Sequence, residues 1–197
     1  MNTTSSALLA KPGRLATAAA LTLVAAGVAA SASTAHAAPY PVGAVTVQDS
    51  RTDMVGHGAD IFRVRLVNRD RVKVVIQHRD LVRSWKPQSS GTVYVDTDPS
   101  TSGPDYALVA GLYAGSDYTL LHTDGWRIRY RKPTQGFYQL RLHYDTDRTV
   151  ATMSRAALGR PGAVRVAVHT AGDDRDGHTV HDWLKGANRF TPWVKRG

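Results

Sequence analysis

Two neighbouring runs do most to limit the folds open to this chain. Phe62, Val64 and Leu66 alternate with Arg63, Arg65 and Val67, and Val72, Val74 and Ile76 alternate with Lys73, Val75 and Gln77. A period of two places one set of side chains on each face of a strand, so each run predicts a ribbon with an apolar and a polar side. Asn68-Arg69-Asp70 between them is turn-forming, and the pair reads as an antiparallel hairpin.

The pattern repeats along the chain. Val45–Val47 is a short apolar segment, and strands are predicted over 92–97, 106–111, 117–122, 126–131, 138–144, 148–153 and 163–169. Thr123-Asp124-Gly125 and Asp145-Thr146-Asp147 supply turns, the first with the Asp-Gly pair that favours tight hairpins. Ser154–Gly162 breaks the pattern and predicts one helical turn ending at Gly159. About nine short strands without crossover helices predict an all-β antiparallel sandwich in a single domain. Trp183, Phe190 and Trp193 in the last stretch have enough apolar surface to dock that tail on the domain.

Composition points the same way. All 16 acidic residues are Asp, and Arg dominates the 25 basic ones. Asp favours turns and caps, while the absent Glu is a residue of helix interiors. The chain has no cysteine, which excludes disulfides, thiolate metal sites, cysteine nucleophiles and lipid attachment at a processed cysteine.

At the start, Lys11 and Arg14 precede an apolar run from Leu15 to Ala30 and a small-x-small motif, Ala35-His36-Ala37. This order predicts a secretory signal peptide over residues 1–37, cleaved after Ala37, and an extracellular domain over 38–197. The run is shorter and poorer in Leu than a membrane span, and no twin arginine marks the folded-protein route. Loss of Lys11 and Arg14 still leaves the remainder of a chain of net charge +9 strongly basic.

Val95-Asp96-Thr97-Asp98, Gly103-Pro104-Asp105-Tyr106, Gly125-Trp126, Leu158-Gly159-Arg160-Pro161-Gly162 and Asp182-Trp183 together resemble a group of uncharacterised secreted β-sandwich proteins of high-GC Gram-positive bacteria. The chain is similar, more distantly, to carbohydrate-binding and DOMON-like sandwich modules. These resemblances imply ligand binding outside the cell. Many members of the first group carry cysteines near the positions of Gly136 and Ala157. The resemblance thus implies a crosslink that this chain lacks, leaving the pairing of those two regions open.

Four constellations carry possible chemistry. Asp96, Asp98 and Asp105 gather hard oxygen ligands on one loop, a pattern suited to calcium that Asp49, Asp53 and Asp60 of the loop before the first strand could adjoin, though the same residues also serve turn hydrogen bonding. The helix-loop-helix calcium template is not met, since Thr101 and Ala107 stand where it needs Gly and an acid. Outward arginines form a second set: Arg63, Arg65, Arg127 and Arg129, with Lys73, Arg141 and Arg165 and with Trp126 as a stacking surface. Guanidinium groups bind phosphate and carboxylate bidentately, so this set predicts an extracellular glycan or anionic cell-wall polymer as partner, with no specific nucleic acid.

His178, His181 and Asp182, with His169, offer zinc-type donors. Asp96 with Asp117 or Asp124 offers a carboxylate pair for hydrolysis. No nucleophile elbow, zinc-protease helix or phosphate loop accompanies them. The sequence therefore favours a monomeric, non-catalytic extracellular binding module. An Asp-dependent hydrolase and a protein-interaction or inhibitor domain are the alternatives.

Overall fold

In the computed structural model, residues 39–51 and 53–197 are described, so the expected signal peptide over 1–37 lies outside the described residues. The described residues form an all-β sandwich of twelve strands. They are β1 Ala44–Gln48, β2 Ile61–Asn68, β3 Arg71–His78, β4 Ser90–Asp96, β5 Tyr106–Gly111, β6 Tyr118–Asp124, β7 Arg127–Pro133, β8 Tyr138–His143, β9 Arg148–Ser154, β10 Ala163–Asp173, β11 Thr179–Trp183 and β12 Val194–Lys195. One sheet has the order β1-β2-β3-β9-β8; the other runs β11-β10-β4-β5-β6-β7, with β12 also on β10. Every ladder between these strands is antiparallel. No helix among the described residues is long and apolar enough to cross a membrane.

The core lies between the sheets. Ile61, Val64, Leu66, Val72, Val74, Ile76, Ala151 and Met153 of the five-stranded sheet meet Val93, Val95, Leu108, Leu120, Val164, Val166 and Val168 of the other. These are the inward phase of the alternation, and burying them drives the two sheets together. Leu140, at the β8 edge, is only partly buried against the cluster.

The structure refines the strand pattern in three places. A bulge between Ile61 and Arg63 shifts the phase at the start of β2. Ile61 rather than Phe62 therefore enters the core, and the Phe62 ring lies under the Arg51 guanidinium at 4.1 Å. β10 runs four residues past the expected His169, to Asp173, and turns back as β11. The aromatic tail docks: Trp193 is buried and stacks on Tyr40.

The helical turn is a 3-10 segment, Ala156–Leu158, closed by Gly159 in the left-handed region (φ 71°). Gly136 and Ala157 abut without a crosslink. A Cβ built on Gly136 would lie 3.0 Å from Ala157 Cβ. Sequence reasoning had left this pairing open, and backbone packing supplies it.

His78 reaches across the domain edge from β3. It is buried, with Nδ1 2.9 Å from the Gly58 carbonyl oxygen and Nε2 2.9 Å from Thr149 Oγ1. One neutral tautomer satisfies both contacts, with Nδ1–H donating and Nε2 accepting from the hydroxyl. Burial lowers its pKa to about 4, partly opposed by the hydrogen bond to Gly58.

Two outcomes follow from these contacts. Because the folded pKa lies below the unfolded one, the contribution of a neutral His78 is complete above about pH 6.5 and is lost as pH falls toward 4, costing about 3 kcal/mol. Urea unfolding at pH 7 and pH 4.5 will show this loss, and His78→Gln will show a smaller one. The double variant Gly136→Cys/Ala157→Cys will close a disulfide in oxidising buffer, read as no free thiol on titration. It will raise stability by less than the ~3 kcal/mol of an ideal closure, because the positive φ at Gly136 strains a side chain there.

Candidate ligand-binding faces

Since each sheet buries one face, each exposes the other, and the two outer faces differ in chemistry. On the five-stranded sheet the register aligns outward residues in three rows. Ala44, Val67, Lys73, Thr152 and Gln139 form the first; Thr46, Arg65, Val75, Val150 and Arg141 the second; Gln48, Arg63, Gln77, Arg148 and His143 the third. Five positions are cationic, Arg63, Arg65, Lys73, Arg141 and Arg148, and none is acidic.

Cross-strand neighbours in these rows never set two of the five cations directly opposite each other; Val, Thr or Gln separates them. Like charges therefore share a sheet face without direct opposition. None of the five makes an ion pair among the described residues, whose salt bridges involve other basic groups. Arg141 Nε donates to Gln139 Oε1 at 3.1 Å, while Arg148 Nε is buried with no hydrogen-bond partner. Strands lie about 4.8 Å apart and alternate residues about 7 Å apart along a strand, so the charges form a grid roughly 7 to 15 Å in spacing.

The outer face of the second sheet is aromatic. Tyr94 on β4 sits between Ala167 and Ala107 of the flanking strands, whose small side chains leave room above the sheet. Trp183 stacks on Tyr94 at 5.8 Å, and Trp126 meets both edge-on at 5.2 and 5.9 Å. Phe190 of the tail lies 5.0 Å from Trp126. Trp126 reaches this face because Asp124 pairs with Arg127, leaving Gly125-Trp126 as a two-residue turn. Tyr130, beyond Ile128 on β7, is 70 % exposed at the rim.

Within this face Asp96 and Arg165 stand opposite each other on β4 and β10. Arg165 donates through Nε (2.8 Å) and Nη2 (2.6 Å) to Asp96 Oδ2, and its guanidinium lies between the Phe190 and Trp193 rings at 4.3 and 4.6 Å. Asp96 is 0 % exposed, and desolvation holds its carboxyl above the usual range against the pull of Arg165.

The remaining members of the expected calcium loop are engaged separately. Asp105 Oδ2 accepts from Thr97 N–H (2.8 Å) and Oγ1 (2.6 Å). Asp98 Oδ1 accepts from Ser100 N–H (2.9 Å) and Oγ (2.6 Å), contacts that hold its carboxyl below the usual range. All three carboxylates thus hold the loop or its neighbour strand.

The expected arginine set is divided. Arg63 and Arg65 lie on the outer face of one sheet, whereas Trp126 belongs to the aromatic face of the other. Arg127 and Arg129 alternate with Ile128 on β7 and point away from that aromatic cluster, Arg129 pairing with Asp124. Arg148 adds a fifth cation to this outer face and was missed by the sequence reading; its strand phase was the available signal.

His169 and His181 do approach, Nε2 to Nδ1 at 3.1 Å, with rings stacked beside Trp183. His178 instead faces Asp174 at the β10–β11 turn, and Asp182 points inward, so the four expected zinc donors do not converge. Asp124 is taken by Arg129 and Asp96 by Arg165.

No protein-family model matches the chain, and comparison with curated proteins gives no match.

Arg165→Ala will leave Asp96 buried without its cation and will lower unfolding free energy by about 3 kcal/mol. Denaturant unfolding of this variant beside Arg165→Ala/Asp96→Asn checks the assignment. The double variant will recover part of the loss.

Proposed function

We propose that the protein is a non-catalytic extracellular binding module whose basic five-stranded face holds an anionic cell-envelope polymer. The observation that carries this reading is the set Arg63, Arg65, Lys73, Arg141 and Arg148 on one sheet face, without an acidic residue in its three rows or an ion-pair partner among the described residues. A solvated protein surface ordinarily intersperses both signs. A grid of separated cations suits a long chain with repeating phosphate or carboxylate groups better than one small ligand, because each anionic group meets one guanidinium or ammonium in turn.

A second reading assigns the aromatic face to uncharged glycan. It rests on the half-buried Trp126 and Trp183 with Tyr130 at the rim. The two readings use opposite faces and respond differently to salt.

The test is retention on immobilised polyglycerol-phosphate teichoic acid. The protein will bind at low salt and elute as salt screens the face. Arg65→Ala/Lys73→Ala/Arg141→Ala will change fold stability by no more than about 0.5 kcal/mol per site and weaken binding about tenfold. Trp126→Ala will retain that binding. Flow-through at low salt, or unchanged affinity in the triple variant, contradicts the reading. Salt-insensitive retention on neutral glycan that Trp126→Ala abolishes favours the second one.

A further inference from the structure

We infer that Asp53, Asp60 and Asp182 form a binding site for a hard divalent cation of the calcium class, at the seam between the two sheets. Asp60 immediately precedes β2 in one sheet, and Asp182 lies on β11 in the other. Asp182 alternates with outward His181 and Trp183, which turns its carboxylate inward, where Oδ2 accepts the Ile61 N–H at 2.7 Å. One carboxylate oxygen from each of Asp53, Asp60 and Asp182 lies within 4.8 Å of the other two. Oxygens about 2.4 Å from one calcium ion lie up to about 5 Å apart, so this separation fits a shared ion.

A cluster of acids is common on protein surfaces, but here two of the three are buried. Asp60 is 1 % exposed, and neither of its carboxylate oxygens has a hydrogen-bond partner among the described residues. The nearest cation, Arg79, holds Nη1 3.8 Å from Asp60 Oδ2, too long for a hydrogen bond. A buried carboxylate left in this state is costly, and two more acids beside it raise the cost.

Desolvation pushes the Asp60 carboxyl above the usual range and raises Asp182 to about 6, with Asp53 adding to both. A divalent ion shared by the three carboxylates offsets two of their three charges. The donors are oxygen only, without imidazole or thiolate, which favours calcium or magnesium over zinc or copper. Calcium tolerates irregular oxygen shells, whereas magnesium demands near-ideal octahedra, and three carboxylates from the β1–β2 connection and β11 suit the former.

The site differs in kind from the Asp96 loop. There each carboxylate already accepts short hydrogen bonds or an ion pair. Here the most buried acid accepts no hydrogen bond among the described residues, and its ion pair to Arg79 is long at 3.8 Å. Because the ligands come from both sheets, an ion bound here fastens one sheet to the other, and its binding free energy adds to that of folding.

Thermal melting of the purified protein with calcium chloride, magnesium chloride or EDTA tests this, together with terbium luminescence. Calcium will raise the melting temperature by several degrees over EDTA, more than magnesium does. Bound terbium, a calcium surrogate, will emit on excitation of Trp183, the neighbour of Asp182. Asp60→Asn and Asp182→Asn will abolish both signals. Asp53→Asn, in an exposed position that leaves the core intact, will weaken calcium at least about tenfold by removing one charged ligand of three. Asp98→Asn will leave both unchanged. Melting that is identical in calcium, magnesium and EDTA overturns the inference, as does a calcium response that survives Asp53→Asn and Asp60→Asn or disappears in Asp98→Asn.

Discussion

Burial of the inward phase of the strands against each other is the interaction on which everything else in this domain rests. Once Val64, Leu66, Val72, Val74 and Ile76 meet Val93, Val95, Val164, Val166 and Val168, the intervening residues have no choice of side. A shift of one residue in any register would bring Arg65 or Lys73 into the core at a prohibitive desolvation cost. The two outer faces are therefore consequences of the core. The sequence is free only to decide what chemistry they carry, and it makes one cationic and the other aromatic.

The two faces differ in how they treat charge. Across the second sheet, Arg165 is neutralised by Asp96 and enclosed between Phe190 and Trp193, so it acts as a structural strut. Across the first, five cations are held apart by Val, Thr and Gln and face no acid. Pairing consumes a guanidinium for stability, and the absence of pairing leaves it available to a ligand. This contrast in charge pairing, rather than net charge alone, distinguishes the two faces.

Strand content was legible because alternation is a local property: β2, β3 and β5 to β9 could be read from a handful of residues each. The bulge that exchanges Phe62 for Ile61 was not, since both are apolar and only pairing with β3 decides between them. β11 was hidden by its polar Asp-Gly approach and its own His and Asp residues, which read as loop until paired with β10. The site was less legible than the fold. Arg63 and Arg127 look equivalent in sequence, yet they lie in different sheets, and nothing local records sheet membership. Ile61 and Asp182 meet across 121 residues of chain, so a carboxylate cluster built on that contact has no sequence motif.

The most direct measurement is a map of backbone amide NMR shifts during titration with a short polyglycerol-phosphate oligomer. The account predicts perturbations concentrated on the outward residues of β2, β3, β8 and β9, including Arg65, Lys73, Arg141 and Thr152, with Tyr94, Trp126 and Trp183 unmoved. Perturbations centred on the aromatic face, or scattered over both sheets without reference to the three rows, would contradict it.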